Sequence, residues 1–548
     1  MKTAMNKNLN LRQLLPSRLA WRAGILLVIS AALTISVFAD PRKTLEKAQK
    51  AIRAGDFERA EKLYREVLHK DESHIEARLG LSKVLLKQRR LAESFEHAAR
   101  VRDQDPTSAR AHALLGSAIL AAGVFPHAVG EFHAALKLDE NDSMAIAGLA
   151  MIDFYENRTL LCVEKLKRAI YFDANEPDYV FSLGQAAARS EKYAEAADAY
   201  ERFLLISPKT DAERRARIRG LIDFLRYLGA QSSLYNVSGA SRTVIPFESL
   251  DNRPIVRVRI NGSKELLRFV LDTGSGMSVL SEETAKKLGI KPVAQGGLAR
   301  AVGGEGRFEI VYGHLGSLEL GDVRIENVPV YIRHFFDNHN PVDGYLGIAA
   351  LSRLVTAVDY GTRRMTLIRQ KSKTDLASVV DQPSPQSDNI EMRPGVDVHV
   401  RTTSSGFLSG EVMIEGISKP LNFIIDTGAT TTVLSEGAAS LEEALTFIQP
   451  NRMRVFGAAG VTENVKIALL PKVAIGSYTR EKVSAAVLNL DSLNETTGFQ
   501  QNGILGGNFL RHFRVVFDFQ RGIVRLEPLE FANAPKDTTP WDATQGTP

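Results

Sequence analysis

From residue 40 to about 230, apolar positions recur with helical spacing, and the whole pattern repeats every 34 residues. Small side chains mark one position of each repeat: Ala48, Ser82, Gly116, Ala150 and Gly184. Twelve residues later comes a second small set, Ala60, Ser94, Ala128, Cys162 and Ala196. Four residues further on stand Tyr64, Ala98, Phe132, Leu166 and Tyr200. Pro106 and Pro208 fall in loops between repeats. The spacing predicts five pairs of antiparallel helices, in which small residues allow close approach and larger ones fill the gap to the next pair. Residues 211–229 then predict one more helix, with Ile218, Leu221, Ile222, Leu225 and Leu228 on its apolar side. This helix is expected to solvate the end of the array.

Near Ser241 the period changes from helical to alternating. Val256-Arg257-Val258-Arg259-Ile260 predicts a strand, Asn261-Gly262 a tight turn, and the return strand ends at Asp272. The same construction returns 154 residues later. Residues 267–282, LRFVLDTGSGMSVLSE, correspond to residues 421–436, LNFIIDTGATTTVLSE. Each copy continues with a glycine-rich turn, at 302–306 and at 456–460. Further strands follow, then Gly344-Tyr345-Leu346-Gly347 or Gly503-Ile504-Leu505-Gly506, and a closing hairpin. Residues 241–370 and 390–530 are therefore two copies of one β-unit. The polar, proline-bearing stretch 371–389 reads as a linker, and the tail 531–548 as disordered.

Composition alters this picture at one end only. The chain of 548 residues carries a formal charge of +5, but residues 1–39 supply five basic side chains and no acid. Without them, 64 basic side chains face 64 acidic ones, and no basic field remains to attract nucleic acid. That segment sets Lys2, Lys7, Arg12, Arg18 and Arg22 before the apolar run Ala23–Phe38, with Val37 and Ala39 small enough for signal peptidase. It reads as an export signal cut after Ala39 or, if left in place, as an anchor holding the chain to a membrane. A periplasmic or extracellular location follows. Cys162 is the only cysteine, so no intrachain disulfide forms, and its apolar neighbours make it a packed thiol. Phosphate-loop, zinc-helix and dinucleotide fingerprints are missing from the sequence, and the histidines are scattered.

The helical pattern resembles tetratricopeptide repeats. Each β-unit, with its Asp-Thr-Gly loop and downstream apolar-apolar-Gly, resembles a retropepsin-like aspartic protease domain. The expected fold is an all-α tetratricopeptide-repeat solenoid followed by two all-β units of the acid protease fold. The array then either offers a protein partner a concave surface or serves as a spacer.

Peptide hydrolysis without metal, cofactor or nucleophilic side chain needs an activated water. Two carboxyls about 3 Å apart cannot both ionise cheaply, so they share a proton, and one can act as base while the other is an acid. Each unit supplies one aspartate, which makes Asp272 and Asp426 the candidate dyad for a peptide or protein substrate. The resemblance assigns the remaining roles. Thr273 and Thr427 would bond across a pseudo-twofold axis. Gly274 and Gly428 would keep the loops tight, and Gly347 and Gly506 would pack beneath them. Gly303, Gly304 and Gly306, with Gly457 and Gly460, would form flaps over substrate; neither flap has the tyrosine of pepsin-like enzymes. The residue after each glycine would lie beside its own aspartate, so Ser275 is expected to donate to Asp272, whereas Ala429 offers Asp426 only a methyl. That difference places the negative charge on Asp272. The other reading is a non-catalytic scaffold that uses the same fold to bind peptides.

Overall fold

The computed structural model describes residues 40–299, 302–304, 307–335, 341–369, 393–457 and 460–529. The N-terminal signal or anchor, the linker at 371–389, Gly306 and the tail from 531 lie outside the described residues.

The 34-residue pattern folds as five helix pairs: α1 (Pro41–Ala54) with α2 (Phe57–Lys70), α3 (Ile75–Lys87) with α4 (Leu91–Gln104), α5 (Ala109–Ala121) with α6 (Phe125–Leu138), α7 (Ser143–Tyr155) with α8 (Thr159–Phe172), and α9 (Pro177–Arg189) with α10 (Tyr193–Ile206). Helix α11 (Ala212–Gly229) follows. Within every pair the turn passes through one left-handed residue. These are Gly55, Arg89, Gly123, Asn157 and Glu191, again 34 apart, with φ between 59° and 82°. The small residues do what their spacing predicts: a Cβ on Gly116 would run into the Phe132 ring at 2.7 Å, and one on Gly184 would meet Tyr200 at 2.9 Å.

The coil closes on itself. Lys83 and Lys87 of α3 each reach Glu176, before α9, at 2.8 Å, and Lys87 reaches Asp178 at 2.5 Å. Burial alone would raise the Glu176 pKa, but Lys87 and Lys83 outweigh it and hold the carboxyl down at about 2. The array, read as either a partner surface or a spacer, is bridged at this point by ion pairs.

Both β-units are built on the same weave. In unit 1 the strand Gly344–Leu346 runs parallel to Leu267–Leu271 and antiparallel to Ser278–Ser281. In unit 2 Gly503–Leu505 does the same between Leu421–Ile425 and Thr432–Ser435. A third, six-stranded sheet joins the units, with Leu354–Asp359 of unit 1 antiparallel to Phe513–Asp518 of unit 2 and Ala357 opposite Val516. The two units thus pair within one chain and share a core running from Ile245 to Leu526.

The array is part of this body. Its intra-pair turns rest on unit 2. Phe499 packs edge-on against Phe125 and Tyr155, each at 5.0 Å. Glu156 accepts from His399 Nε2 at 2.9 Å and from Arg401 Nε at 3.0 Å. The Arg189 guanidinium lies 3.7 Å over the Phe154 ring and donates to the carbonyls of Thr402, Thr403 and Ser404. Helix α11 closes the array with Ile218, Ile222 and Leu225 in the array's core, and its other face lies on unit 1, where Phe224 stacks on Tyr312 at 4.3 Å. Among the described residues, no helix is long and apolar enough to cross a membrane.

Candidate active site

The weave delivers both aspartates to one place. Asp272 follows Leu271 at the end of its strand, and its N–H donates to Leu346 O at 3.0 Å. Asp426 follows Ile425, and its N–H donates to Leu505 O at 3.0 Å. The two loops then lock to one another. Thr273 Oγ1 donates to Ile425 O at 2.8 Å and accepts the Thr427 N–H at 3.0 Å. Thr427 Oγ1 donates to Leu271 O at 2.7 Å and accepts the Thr273 N–H at 3.2 Å. Both threonines are buried, so each bond spares an otherwise unpaired polar atom, worth about 1–3 kcal/mol.

Gly274 and Gly428 sit where each loop meets the other unit's carboxyl. A Cβ on Gly274 would overlap the Asp426 carboxylate, and one on Gly428 would overlap that of Asp272. Beneath the loops, Gly347 and Gly506 start short helices. Ile348 N–H donates to Ser275 O at 2.9 Å, and Gly507 N–H to Ala429 O at 2.7 Å. Above them, the tips of the two long hairpins meet. Gly303 lies against Gly457, and the Gly304 N–H donates to Thr462 Oγ1 at 2.7 Å. Gly460 carries the turn back with φ 121°.

The carboxyls of Asp272 and Asp426 lie within hydrogen-bonding reach of each other. Burial raises both pKa values. Asp272 goes well above the usual carboxylate range, because the Asp426 charge adds to burial and a bond between the two carboxyls favours its proton. Asp426 is raised by burial too, against the pull of backbone N–H groups and the Asp272 carboxyl, which favour its ionised form. Its Oδ1 accepts from Gly428 at 2.7 Å and from Gly274 at 3.1 Å, whereas Asp272 Oδ1 accepts the Gly274 N–H at 3.0 Å. The two carboxyls therefore hold one proton as a pair, and Asp426 is the better supplied with backbone donors.

The hydrogen bond expected of Ser275 is not made. Its hydroxyl donates to Met277 O at 2.7 Å instead of to Asp272. The asymmetry of the pair comes from backbone donors, which residue identity does not reveal. Ser275→Ala should therefore leave both limbs of a pH–rate profile in place and cost about 1 kcal/mol of stability for the lost bond. A displaced limb in a folded variant would return Ser275 to the dyad.

Sequence reasoning missed two contributors. Val302, in the tip of the first hairpin, packs against an apolar cluster of unit 2 that includes Ile424, Val433, Val465 and Ile504, with Ala429 and Val455 at its edge. Helix α11 backs the same hairpin. Only the run of glycines at 296 and 297 hinted at so close an approach. Among the described residues, no cluster of three or more His, Cys, Asp or Glu side chains is placed to hold a metal.

Family models match parts of both regions. Residues 256–350 and 410–509 match the family described as aspartyl protease. Residues 51–118 and 166–211 match tetratricopeptide repeats. Among solved structures, the aspartic proteinase from Irpex lacteus is 14% identical, with 54% of this chain and 100% of that one covered and a TM-score of 0.35. A thermophilic tetratricopeptide-repeat protein from Thermus thermophilus is 16% identical, with 33% of this chain and 99% of that one covered and a TM-score of 0.30. No curated protein matches the chain. The chain carries a tandem pair of aspartyl protease family segments behind an array of tetratricopeptide repeats.

Proposed function

We propose that the chain is an aspartic-type endopeptidase exported by its N-terminal segment. The observation that carries this reading is the buried pair of aspartates, one from each unit, close enough to share a proton. A water between them would lose a proton to Asp426 while its oxygen attacks the peptide carbonyl carbon. Asp272 would give its proton to the carbonyl oxygen as that oxygen gains charge. The resulting diol collapses: the proton on Asp426 goes to the leaving nitrogen, and one hydroxyl proton returns to Asp272. Every proton is accounted for. Because tetratricopeptide repeats are protein-interaction modules, the array would also present a protein partner or substrate to this site.

The purified chain should cleave an unfolded protein, with a rate that falls on the acid side as the pair takes up its second proton and on the basic side as it loses its last. The basic limb should lie above the ordinary carboxylate range, following the raised Asp272. A statine-bearing peptide, which mimics the diol, should block cleavage, and a chelator should not. Binding of that peptide without cleavage at any pH would establish the scaffold reading instead. A mature N-terminus at Asp40, read by intact mass, would support export with cleavage, and a chain confined to the cytoplasm would overturn export.

A further inference from the structure

The two hairpins over the dyad are not equally supported. The first, Ala294–Ala299 with Phe308–Leu320, carries α11 on its outer face. Helix and hairpin touch backbone to backbone: a Cβ on Gly220 would overlap Gln295 O and Gly296 Cα. The hairpin is irregular there, with a register shift between Gln295 and Leu298 and Gly297 at φ 69°. Arg217 Nη1 donates to Leu298 O at 2.9 Å, Phe224 stacks on Tyr312, and Glu213 pairs with Arg307. The second hairpin, Ile448–Gly457 with Gly460–Ile475, exposes its outer face. Arg454, Phe456, Val461 and Glu463 are all exposed, and an Arg454–Glu463 pair at 2.8 Å crosses between the strands.

The braced hairpin is the one whose tip crosses the cleft. Val302 packs on the apolar cluster of unit 2 against which Ala429, of the second active-site loop, also packs. Through the rigid stack α11–Tyr312–hairpin, the array fixes how far Val302 stands from that cluster. A bulky apolar side chain next to the scissile bond would lie against both Val302 and that cluster.

We propose that α11 is a positioning element of the active site: Gly220, Arg217 and Phe224 hold the first hairpin so that Val302 closes an apolar subsite on unit 2. This inference rests on the protease reading for its substrate, though not for its geometry. The repeats then set substrate affinity directly, and the second hairpin is the more mobile of the two. Close packing transmits such placement because a packed interface deforms little.

The test uses the full chain as wild type, Phe224→Ala and Gly220→Val. Amide hydrogen exchange should show the first hairpin at least about tenfold slower than the second in wild type. In either variant the first hairpin should speed up about tenfold, with the second and the array unchanged. For a peptide with a bulky apolar residue at the cleavage point, KM should rise about tenfold, while kcat and the limbs of the pH profile stay. Should both variants unfold, Arg217→Leu, a surface change, should show the same pattern with smaller amplitude. Equal exchange of the two hairpins in wild type would overturn the proposal. So would a loosened first hairpin with KM unchanged. A chain that cleaves nothing, yet shows the exchange pattern, would sink the protease reading and leave the positioning role of α11 standing.

Discussion

Asp272→Asn and Asp426→Asn should each reduce cleavage by about 10²–10⁴-fold while the chain stays folded. Each removes one half of a proton-sharing pair, and the partner cannot act as base and acid together. Asparagine keeps a carbonyl oxygen to accept the backbone N–H bonds at 426 and a similar shape at 272, so the loops should hold. The two variants should differ in stability. The native pair keeps a proton where the unfolded chain has lost it, because burial and the neighbouring Asp426 raise Asp272 above the ordinary 3.8. The native state therefore binds more protons in that window, and wild-type stability falls as pH rises from 3.8 through the raised value. An asparagine side chain at this position has no such proton to lose. Asp272→Asn should thus unfold at a higher temperature than wild type near neutral pH, with the gain vanishing once the medium is acid enough to protonate the unfolded chain's carboxyl too. Wild-type turnover in either variant would mean that the two units do not share one site. An unchanged stability difference across pH would mean that Asp272 is not the proton carrier.

Much of this was legible because the chain states each element more than once. Five copies of a 34-residue pattern disclose the helix pairs, and two copies of Asp-Thr-Gly in matching frames disclose a paired site. Repetition let register be read without any structure. The failures share a physical cause. The Ser275 expectation treated residue type as the only source of hydrogen bonds, but the carboxyls are tuned by N–H groups of Gly274 and Gly428, which every sequence possesses. The reading of α11 as a cap used its apolar stripe, which does pack on the array, and missed that the opposite face is covered too. Phe224 and Gly220 find their partner in a hairpin far along the chain, a contact that periodicity cannot report. Likewise the left-handed turns at Arg89 and Glu191 stand where Gly55, Gly123 and Asn157 advertise themselves. Packing of the array holds those two residues in a conformation that their own propensity disfavours.

Gly274→Ala and Gly428→Ala should each be nearly as damaging as loss of an aspartate, although neither glycine carries chemistry. Neither adopts a left-handed backbone, so conformational strain is not the reason. What forbids a side chain is the opposite unit: one methyl at 274 occupies the space of the Asp426 carboxylate, and one at 428 that of Asp272. The loops cannot retreat, because Thr273 and Thr427 bind each to the strand behind the other. The carboxyl must therefore rotate or shift. A displacement of about 1 Å is enough to cost about 10²-fold in rate. Once separated, the carboxyls should stop sharing a proton, so residual activity should follow two ordinary carboxylate titrations instead of a split pair. Gly262→Ala supplies the contrast. Gly262 has φ 70° with nothing within 4 Å of its would-be Cβ. There alanine should cost about 1–2 kcal/mol of backbone strain, visible in thermal unfolding, with turnover unchanged. Should Gly274→Ala and Gly428→Ala behave like Gly262→Ala, losing stability alone, the two carboxyls would not be in the close contact on which the shared proton depends.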